Sequence, residues 1–355
     1  EQAVLWRAAL VAVASGLVFL ALSPWIRQLG ISAMGAAPEV SAAIDLYVFI
    51  RLWSAPFALL NYALLGFLLG RGQAGQALAL QILLNSVNII LSITLGLGLG
   101  WGLAGVAWGT VIGEITASAV GIWLVWRSFR GYPVLPRARL TDWPALKRLM
   151  ALNGDILIRS FVLMAAFFLF TRQGGQLGTT ILAANAVLLH VLMTASYLLD
   201  GYAAAGEQLG GQSLGARDRA AFARTVRLTA IWGFVTALGF SAIAWVFGPA
   251  LITLITTAPE VQASAQAYLG WAAAAPVLAV LAYQMDGIYI GATWSKTLRN
   301  QMLLSFALYL PLVLLLPLLL GNHGIWIALL MFLAARGATL SARLPRQMDR
   351  AFSKT

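Results

Sequence analysis

Residues 258–293 read APEVQASAQAYLGWAAAAPVLAVLAYQMDGIYIGAT, and residues 37–71 read APEVSAAIDLYVFIRLWSAPFALLNYALLGFLLGR. The opening tetrapeptide is shared. A shift of 221 also carries Tyr47 to Tyr268, Gly66 to Gly287 and Gly70 to Gly291, and Pro56 pairs with Pro276 at a shift of 220. A tetrapeptide followed in order by a proline, a Gly-x-x-x-Gly and a basic loop marks a duplicated unit. Each copy is apolar and long enough to cross roughly 30 Å of hydrocarbon as a helix. Both copies run the same way, so the repeat is parallel, with a pseudo-twofold axis along the membrane normal.

The rest of the chain has the same character. Of its 355 residues, 61% are apolar and 10% charged, with mean hydropathy +0.84. Soluble domains carry about a quarter charged residues, so a water-soluble fold is excluded. The absence of cysteine excludes disulfides, iron-sulfur clusters and thiolate chemistry. Two separated histidines, His190 and His323, do not make a histidine-rich metal or haem site. The net charge of +11 reads as loop charge rather than as a nucleic-acid footprint.

Windows of about 19 residues find ten spans. Their limits are 4–26, 41–69, 76–99, 103–126, 154–171, 181–209, 228–247, 261–292, 301–320 and 325–342. Alternate connecting segments and ends hold 19 of the 23 basic residues: Arg7, Arg71, the run from Arg127 through Arg137 and Arg139 to Arg148, the Arg217–Arg227 group, Lys296 and Arg299, and the set from Arg336 to Lys354. The opposite set holds Arg27 and Arg172, while Arg51 and Arg159 fall within spans. Retention of positive loops in the cytoplasm then places both ends of this chain on the cytoplasmic side of a multi-pass protein. Glu1 runs into the first span without a basic leader, so no cleavable signal is expected.

The duplication also sets the domain expectation: an N-terminal lobe over 1–130, a cytoplasmic linker over 131–150 and a C-terminal lobe over 151–355. Three spans precede Pro259 after the linker, whereas one precedes Pro38. The expectation is an all-α membrane protein of twelve helices in two related lobes, of which this chain carries ten and lacks the first two.

Charged groups inside spans cost about 2.5–3.5 kcal/mol at the bilayer centre and therefore need a partner or a task. Glu114 and Asp200 lie within spans that contain no base, and Asp286 and Glu207 lie toward cytoplasmic ends. A carboxyl group in a low-dielectric interior is suited to exchanging protons, so these four are the candidate proton-coupling residues. Asp286 has a competing reading as a structural bridge to Arg159 or Arg299, and Glu207 as a solvated helix end. Asp45 and Asp155 read as interfacial, Asp155 pairing with Arg159 at helical spacing. Asn61, Tyr62, Asn88, Asn185, Met193, Tyr197 and Tyr283 are candidate substrate-binding residues, with helix-to-helix contact as the alternative for each. Pro56, Gly66, Pro276 and Gly287 occupy matching kink positions and are candidate hinges, static packing kinks being the alternative.

Several segments taken together resemble the MATE (multidrug and toxic compound extrusion) family, and within it the DinF-like branch. They are Gly210-Gly211-Gln212-Ser213-Leu214-Gly215-Ala216-Arg217-Asp218, Ala258-Pro259-Glu260-Val261, Asp286-Gly287-Ile288-Tyr289-Ile290-Gly291-Ala292-Thr293, Arg299-Asn300, and Asp200-Gly201-Tyr202 with Glu207. The resemblance implies two six-helix lobes around a V-shaped cavity, with export of organic cations or other amphiphiles driven by inward proton or sodium flow. Two departures bear on coupling. The family's first-helix aspartate has no counterpart in this chain, and Asn88 is followed four residues later by Ser92 where the family often has Asp. Proton coupling is therefore expected, with sodium as the alternative resting on the acids of the second lobe.

The functional expectation is a monomeric secondary antiporter of the bacterial inner membrane, working by alternating access of two lobes, without cofactor, nucleic acid or catalytic residue. A lipid-linked glycan flippase and a non-transporting degenerate relative are the alternatives. A membrane enzyme finds no support: Lys147, Lys296 and Lys354 lie in loops or the tail, and Gly96, Gly98, Gly100 and Gly102 are followed by no Gly-Lys-Ser/Thr.

Overall fold

The computed structural model describes residues 2–34, 38–131 and 142–353. Ala37, Arg137, Arg139, Lys354 and half of the expected linker lie outside the described residues. Twelve α-helices account for nearly all of the described chain, and no strand occurs among those residues. They are α1 (Gln2–Ala21), α2 (Ser23–Met34), α3 (Pro38–Leu52), α4 (Ala55–Gly70), α5 (Ala74–Leu91), α6 (Gly102–Ser128), α7 (Trp143–Gln176), α8 (Thr179–Gly215), α9 (Arg219–Ile255), α10 (Pro259–Gly291), α11 (Ser295–Leu320) and α12 (Asn322–Phe352). A π-helical segment, Ser92–Gly98, extends α5. The chain divides into two compact units, Glu1–Leu149 and Met150–Thr355.

Nine helices among the described residues are long and apolar enough to cross a membrane, and a bent pair makes ten when it is counted as one span. The helices outrun the apolar windows because hydropathy stops at the first charged turn while helical backbone continues. At about 1.5 Å per residue, the 37 residues of α8 exceed the hydrocarbon thickness. Charged ends then cap and extend them: Asp218 Oδ1 accepts the Ala221 N–H at 2.8 Å and starts α9. The repeated tetrapeptide starts a helix in both copies, with proline in the first turn and Glu39 or Glu260 beside the positive helix end.

The two repeat prolines behave differently. The second span is broken between Leu52 and Ala55 and bent by 52°. Pro56 sits in the first turn of α4, where its missing donor costs nothing, and Ser54 Oγ donates to the Arg51 carbonyl at 2.9 Å and accepts from Arg51 Nη1 at 2.9 Å. Gly16 of α1 packs on this break: a Cβ there would lie 2.3 Å from Pro56 Cα. Pro276 instead lies inside the continuous helix α10. Four alanines, Ala272–Ala275, precede it, whereas Trp53 and Ser54 precede Ala55 and Pro56. The alanine run has the strongest helix propensity and offers no side chain to compete for backbone groups.

Within the second unit, α8 and α10 lie in backbone contact. A Cβ on Gly287 would fall 2.0 Å from the Ala203 carbonyl oxygen, and one on Gly291 would fall 2.1 Å from the Glu207 carbonyl oxygen. Both contacts advance by four residues along both helices, so the two run parallel with a small residue every turn, as small-xxx-small packing requires. Gly66 and Gly70, the sequence counterparts, face open space: a Cβ on either would meet nothing within 4 Å. A core around Leu188, Phe170, Tyr309, Trp326 and Phe332 fills the space among α7, α8, α11 and α12.

Candidate functional site

Helix α7 reaches the rest of the second unit through side chains. Asp155 accepts from Ser295 Oγ at 2.7 Å and from Arg299 Nη1 at 2.6 Å, Tyr309 OH donates to the Ala166 carbonyl at 3.0 Å, and Phe170 meets the edge of Trp326. Asp155 therefore pairs across helices with Arg299, not along its own helix with Arg159 as its spacing suggests. Buried as it is, it gains more from a cross-helix arginine and hydroxyl than from a neighbour pointing elsewhere.

Arg159 goes instead to Asp286 on α10. Asp286 is at the same time bound by Arg336 Nη2 of α12 at 2.6 Å. Asp286 and Arg336 are 7% and 3% exposed, so neither charge is solvated by bulk water, and each is compensated by the other. Arg336 also stacks on Phe332, its guanidinium carbon 5.6 Å from the ring centre. Arg159 is held differently: one amino group meets Asp286, while its buried Nε has no hydrogen-bond partner.

Asp200 completes the cluster. The backbone contact of α8 with α10 at Ala203 and Gly287 brings it into the field of Asp286 and Arg159, with which it interacts through space. Among the described residues it accepts no hydrogen bond. One turn away along each helix, the Ser196 and Tyr283 hydroxyls share a hydrogen bond of 2.6 Å. Two arginines and two aspartates from α7, α8, α10 and α12 are thus gathered in one region, neutral in sum when both acids are ionised. Glu207 lies two turns beyond Asp200 on the surface and accepts no hydrogen bond among the described residues.

A smaller polar cluster stands in the first unit. Asn61 Nδ2 donates to Glu114 Oε2 at 2.6 Å and to the Glu114 carbonyl at 3.0 Å. Ser118 Oγ donates to Asn61 Oδ1 at 3.0 Å. A pocket of about 70 Å³ adjoins it, lined by Asn61, Tyr62, Gln81 and Glu114. Among the described residues Glu114 thus has no basic partner but does have an amide donor from α4.

The other candidates fall in varied places. Tyr62 and Tyr197 are 74% and 76% exposed, Met193 is half-buried, and Asn88 donates to Thr110 Oγ1 at 2.7 Å. Asn185 is buried in a reciprocal amide pair with Asn322, at 2.7 and 2.9 Å, and its carbonyl also accepts Trp326 Nε1 at 2.9 Å. Pro56 marks the bend of the second span, Pro276 and Gly287 lie within buried helix packing, and Gly66 faces open space. Asp45, expected at an interface, is paired with Arg27.

Arg336 is the residue that sequence reasoning places differently. It lies inside the span read as 325–342, yet the alternation of charge groups it with the terminal basic set. The signal for its true place is depth: Phe332, Leu333, Leu340 and Leu344 share its buried face of α12. Ser118, Asn322 and Trp326 give no such signal, because small hydroxyls, amides and indoles are common in spans.

A bundle of membrane-length helices with ionised side chains paired in its interior is the architecture of a polytopic membrane transporter. Residues 156–315 match the MatE family model. The chain is 36% identical over 334 residues to DNA damage-inducible protein F of Escherichia coli (strain K12), covering 94% of this chain and 72% of that protein. It is 25% identical over 321 residues to Protein DETOXIFICATION 43 of Arabidopsis thaliana, covering 89% of this chain and 60% of that protein. Among solved structures, the outward-facing conformation of a multidrug resistance MATE family transporter of the MOP superfamily superposes with TM-score 0.81 at 20% identity, covering 99% of this chain and 80% of that one. The chain belongs to the MATE family. Its members are multi-pass membrane transporters, not enzymes.

Proposed function

We propose that this chain is a drug-efflux transporter of the bacterial inner membrane, exporting organic cations or other amphiphiles in exchange for protons, with Asp200 as the group that takes up and releases the proton. Family membership supports efflux, and the name of the matched multidrug resistance transporter supports the cargo class. The observation that carries the coupling is the state of Asp200: it is the acid of the cluster that has no hydrogen-bonded counter-ion.

The charge arithmetic gives the mechanism. With Asp200 ionised, the four-residue cluster is neutral and its free carboxylate attracts a cation. Proton uptake leaves a net charge of one positive unit and repels it. Proton and cationic cargo then favour opposite states, which is the linkage that exchange by alternating access of two lobes requires. The flippase reading would need arginines free for a pyrophosphate, but Arg159 is engaged by Asp286 and Arg51 by Ser54. Sodium in place of the proton would rest on the same acids of the second unit.

The test is efflux of a fluorescent lipophilic cation from vesicles containing the purified protein under an imposed pH gradient. Asp200→Asn is expected to abolish proton-driven efflux while leaving the melting temperature near that of the parent. Undiminished proton-driven efflux removes Asp200 from the mechanism.

A further inference from the structure

Asp286 accepts a guanidinium from two sides, and the two arginines are not equivalent. Arg336 is buried, bonded at 2.6 Å and stacked on Phe332. Its helix, α12, packs extensively against α10 and α11, so little around it can shift. Arg159 stands on α7, which has few close backbone approaches to its neighbours and is tied to them by side chains. One amino group of Arg159 is satisfied by Asp286, while its buried Nε donates to nothing. A buried donor without an acceptor is unfavourable, so a second geometry that satisfies it competes with the first. Asp200 offers the second acceptor: the α8–α10 approach at Ala203 and Gly287 and the Ser196–Tyr283 hydrogen bond set it beside the Asp286 turn, and among the described residues it accepts no hydrogen bond.

We infer that Arg159 is a switching counter-ion shared between Asp286 and Asp200, and that Arg336 is the fixed counter-ion that lets Asp286 release it. This rests on the proton-coupled reading of Asp200. When Asp200 gives its proton to water, its carboxylate draws the Arg159 guanidinium, and Asp286 keeps its charge compensated by Arg336. When a proton from water returns to an Asp200 oxygen, Arg159 goes back to Asp286. Proton exchange at α8 thereby becomes a displacement of a side chain on α7. Without Arg336, Asp286 would hold Arg159 more tightly, and Asp200 would give up its proton only at a higher pH.

The groups that surround Asp200 are few. Helix α7 contributes Arg159, α10 contributes Asp286 and Tyr283, and α12 contributes Arg336, which reaches the cluster through Asp286. Helix α9 presents Thr236, bonded at 2.7 Å to Tyr202. On α8 itself the nearest acid is Glu207, two turns away. The sign of each substitution follows. A cation beside a carboxylate favours its ionised form, so a variant that keeps Arg159 on Asp286 moves the pH midpoint of Asp200 toward alkaline, and one that frees Arg159 for Asp200 moves it toward acid.

The test is the pH midpoint of proton-driven efflux in vesicles, together with acid-minus-alkaline infrared difference spectra of the purified chain. Arg336→Gln and Arg159→Gln are each expected to shift the midpoint toward alkaline by at least about half a pH unit, and Asp286→Asn to shift it toward acid. The double variant Arg159→Gln/Arg336→Gln is expected to match Arg159→Gln alone, because Arg336 acts through Arg159. Arg336→Lys restores the parental midpoint. Additive shifts in the double variant, or an Arg336→Gln protein that loses activity with an unmoved midpoint, overturn the switch and make Arg336 a purely structural residue. The infrared carboxyl band serves where a variant transports too weakly. It should disappear in Asp200→Asn and persist in Asp286→Asn, and the reverse pattern overturns the inference. Retention of full proton-dependent efflux by Asp200→Asn is a separate result that sinks the coupling reading itself.

Discussion

Asn61 of α4 donates its side-chain amide to Glu114 of α6 at 2.6 Å, with Ser118 donating in turn to Asn61 Oδ1 at 3.0 Å. The chain of donors is oriented, since a hydroxyl feeds an amide and the amide feeds a carboxyl. Glu114→Gln retains an acceptor for Asn61, so its melting temperature should stay within a few degrees of the parent. Asn61→Ala takes the amide donor from Glu114, while Ser118 keeps the Phe57 carbonyl as acceptor at 3.1 Å, and should cost about 1–3 kcal/mol of stability by thermal melting in detergent. If Glu114 takes part in coupling, Glu114→Gln alters the pH profile of efflux without altering the melt. A melt that falls as far for Glu114→Gln as for Asn61→Ala assigns the carboxyl a structural charge role.

Gly287 and Gly66 hold equivalent places in the sequence repeat but not in the packing. Gly287→Ala puts a methyl 2.0 Å from the Ala203 carbonyl oxygen, so α8 and α10 must separate, at a cost of about 1–3 kcal/mol or more. Gly66→Ala meets nothing within 4 Å and should stabilise its helix by about 0.5–1 kcal/mol. Melting curves of the two variants are expected to shift in opposite directions. Equal shifts would show that the α8–α10 contact is looser than the distances indicate.

Asp155 is 7% exposed on its side chain and joins α7 to the start of α11 through Arg299 and Ser295. Ser295→Ala removes one neutral donor and should cost about 1 kcal/mol. Asp155→Ala leaves Arg299 unpaired and Ser295 without its acceptor. Because Arg299 is 30% exposed, water compensates part of the loss, and the expected cost is about 2 kcal/mol rather than the larger figure for a sealed pair. Hydrogen exchange should show faster opening of α7 in Asp155→Ala than in Ser295→Ala.

Asn185 has its polar atoms engaged by Asn322 and Trp326 and is 2% exposed. Asn185→Ala should therefore lower the melting temperature by several degrees while leaving the KM for a lipophilic cation unchanged. Tyr197, 76% exposed on the same helix, is the contrasting case: Tyr197→Ala should leave the melt alone. A changed KM with an unchanged melt for Asn185→Ala would place cargo against that amide.

Legibility in the sequence differs from element to element. The spans are legible because a bilayer-crossing helix needs about 20 apolar residues, a signal far above the noise of propensity. The ends of α8 and α9 are not, since hydropathy falls at the first charged turn and the helices continue beyond it. Pro56 and Pro276 look alike as letters; the difference arises from Ser54 and Arg51 in one copy and the alanine run in the other. Asp200, Asp286 and Glu114 stand out because ionisable groups are rare in spans. Arg336 does not stand out, because a basic residue near a basic tail looks like loop charge until its neighbours are known.

The chain by itself determined that it lives in a membrane, where its apolar spans fall, and that two stretches repeat one another in sequence, because those properties are sums over local residues. Which acid faces which arginine belonged to the tertiary structure. Gly287 lets α10 touch α8, and α12 turns Arg336 inward, so that Asp286 is clamped while Asp200 is not. Pairing of charges depends on distances between helices far apart in sequence, and no run of letters along one helix encodes those.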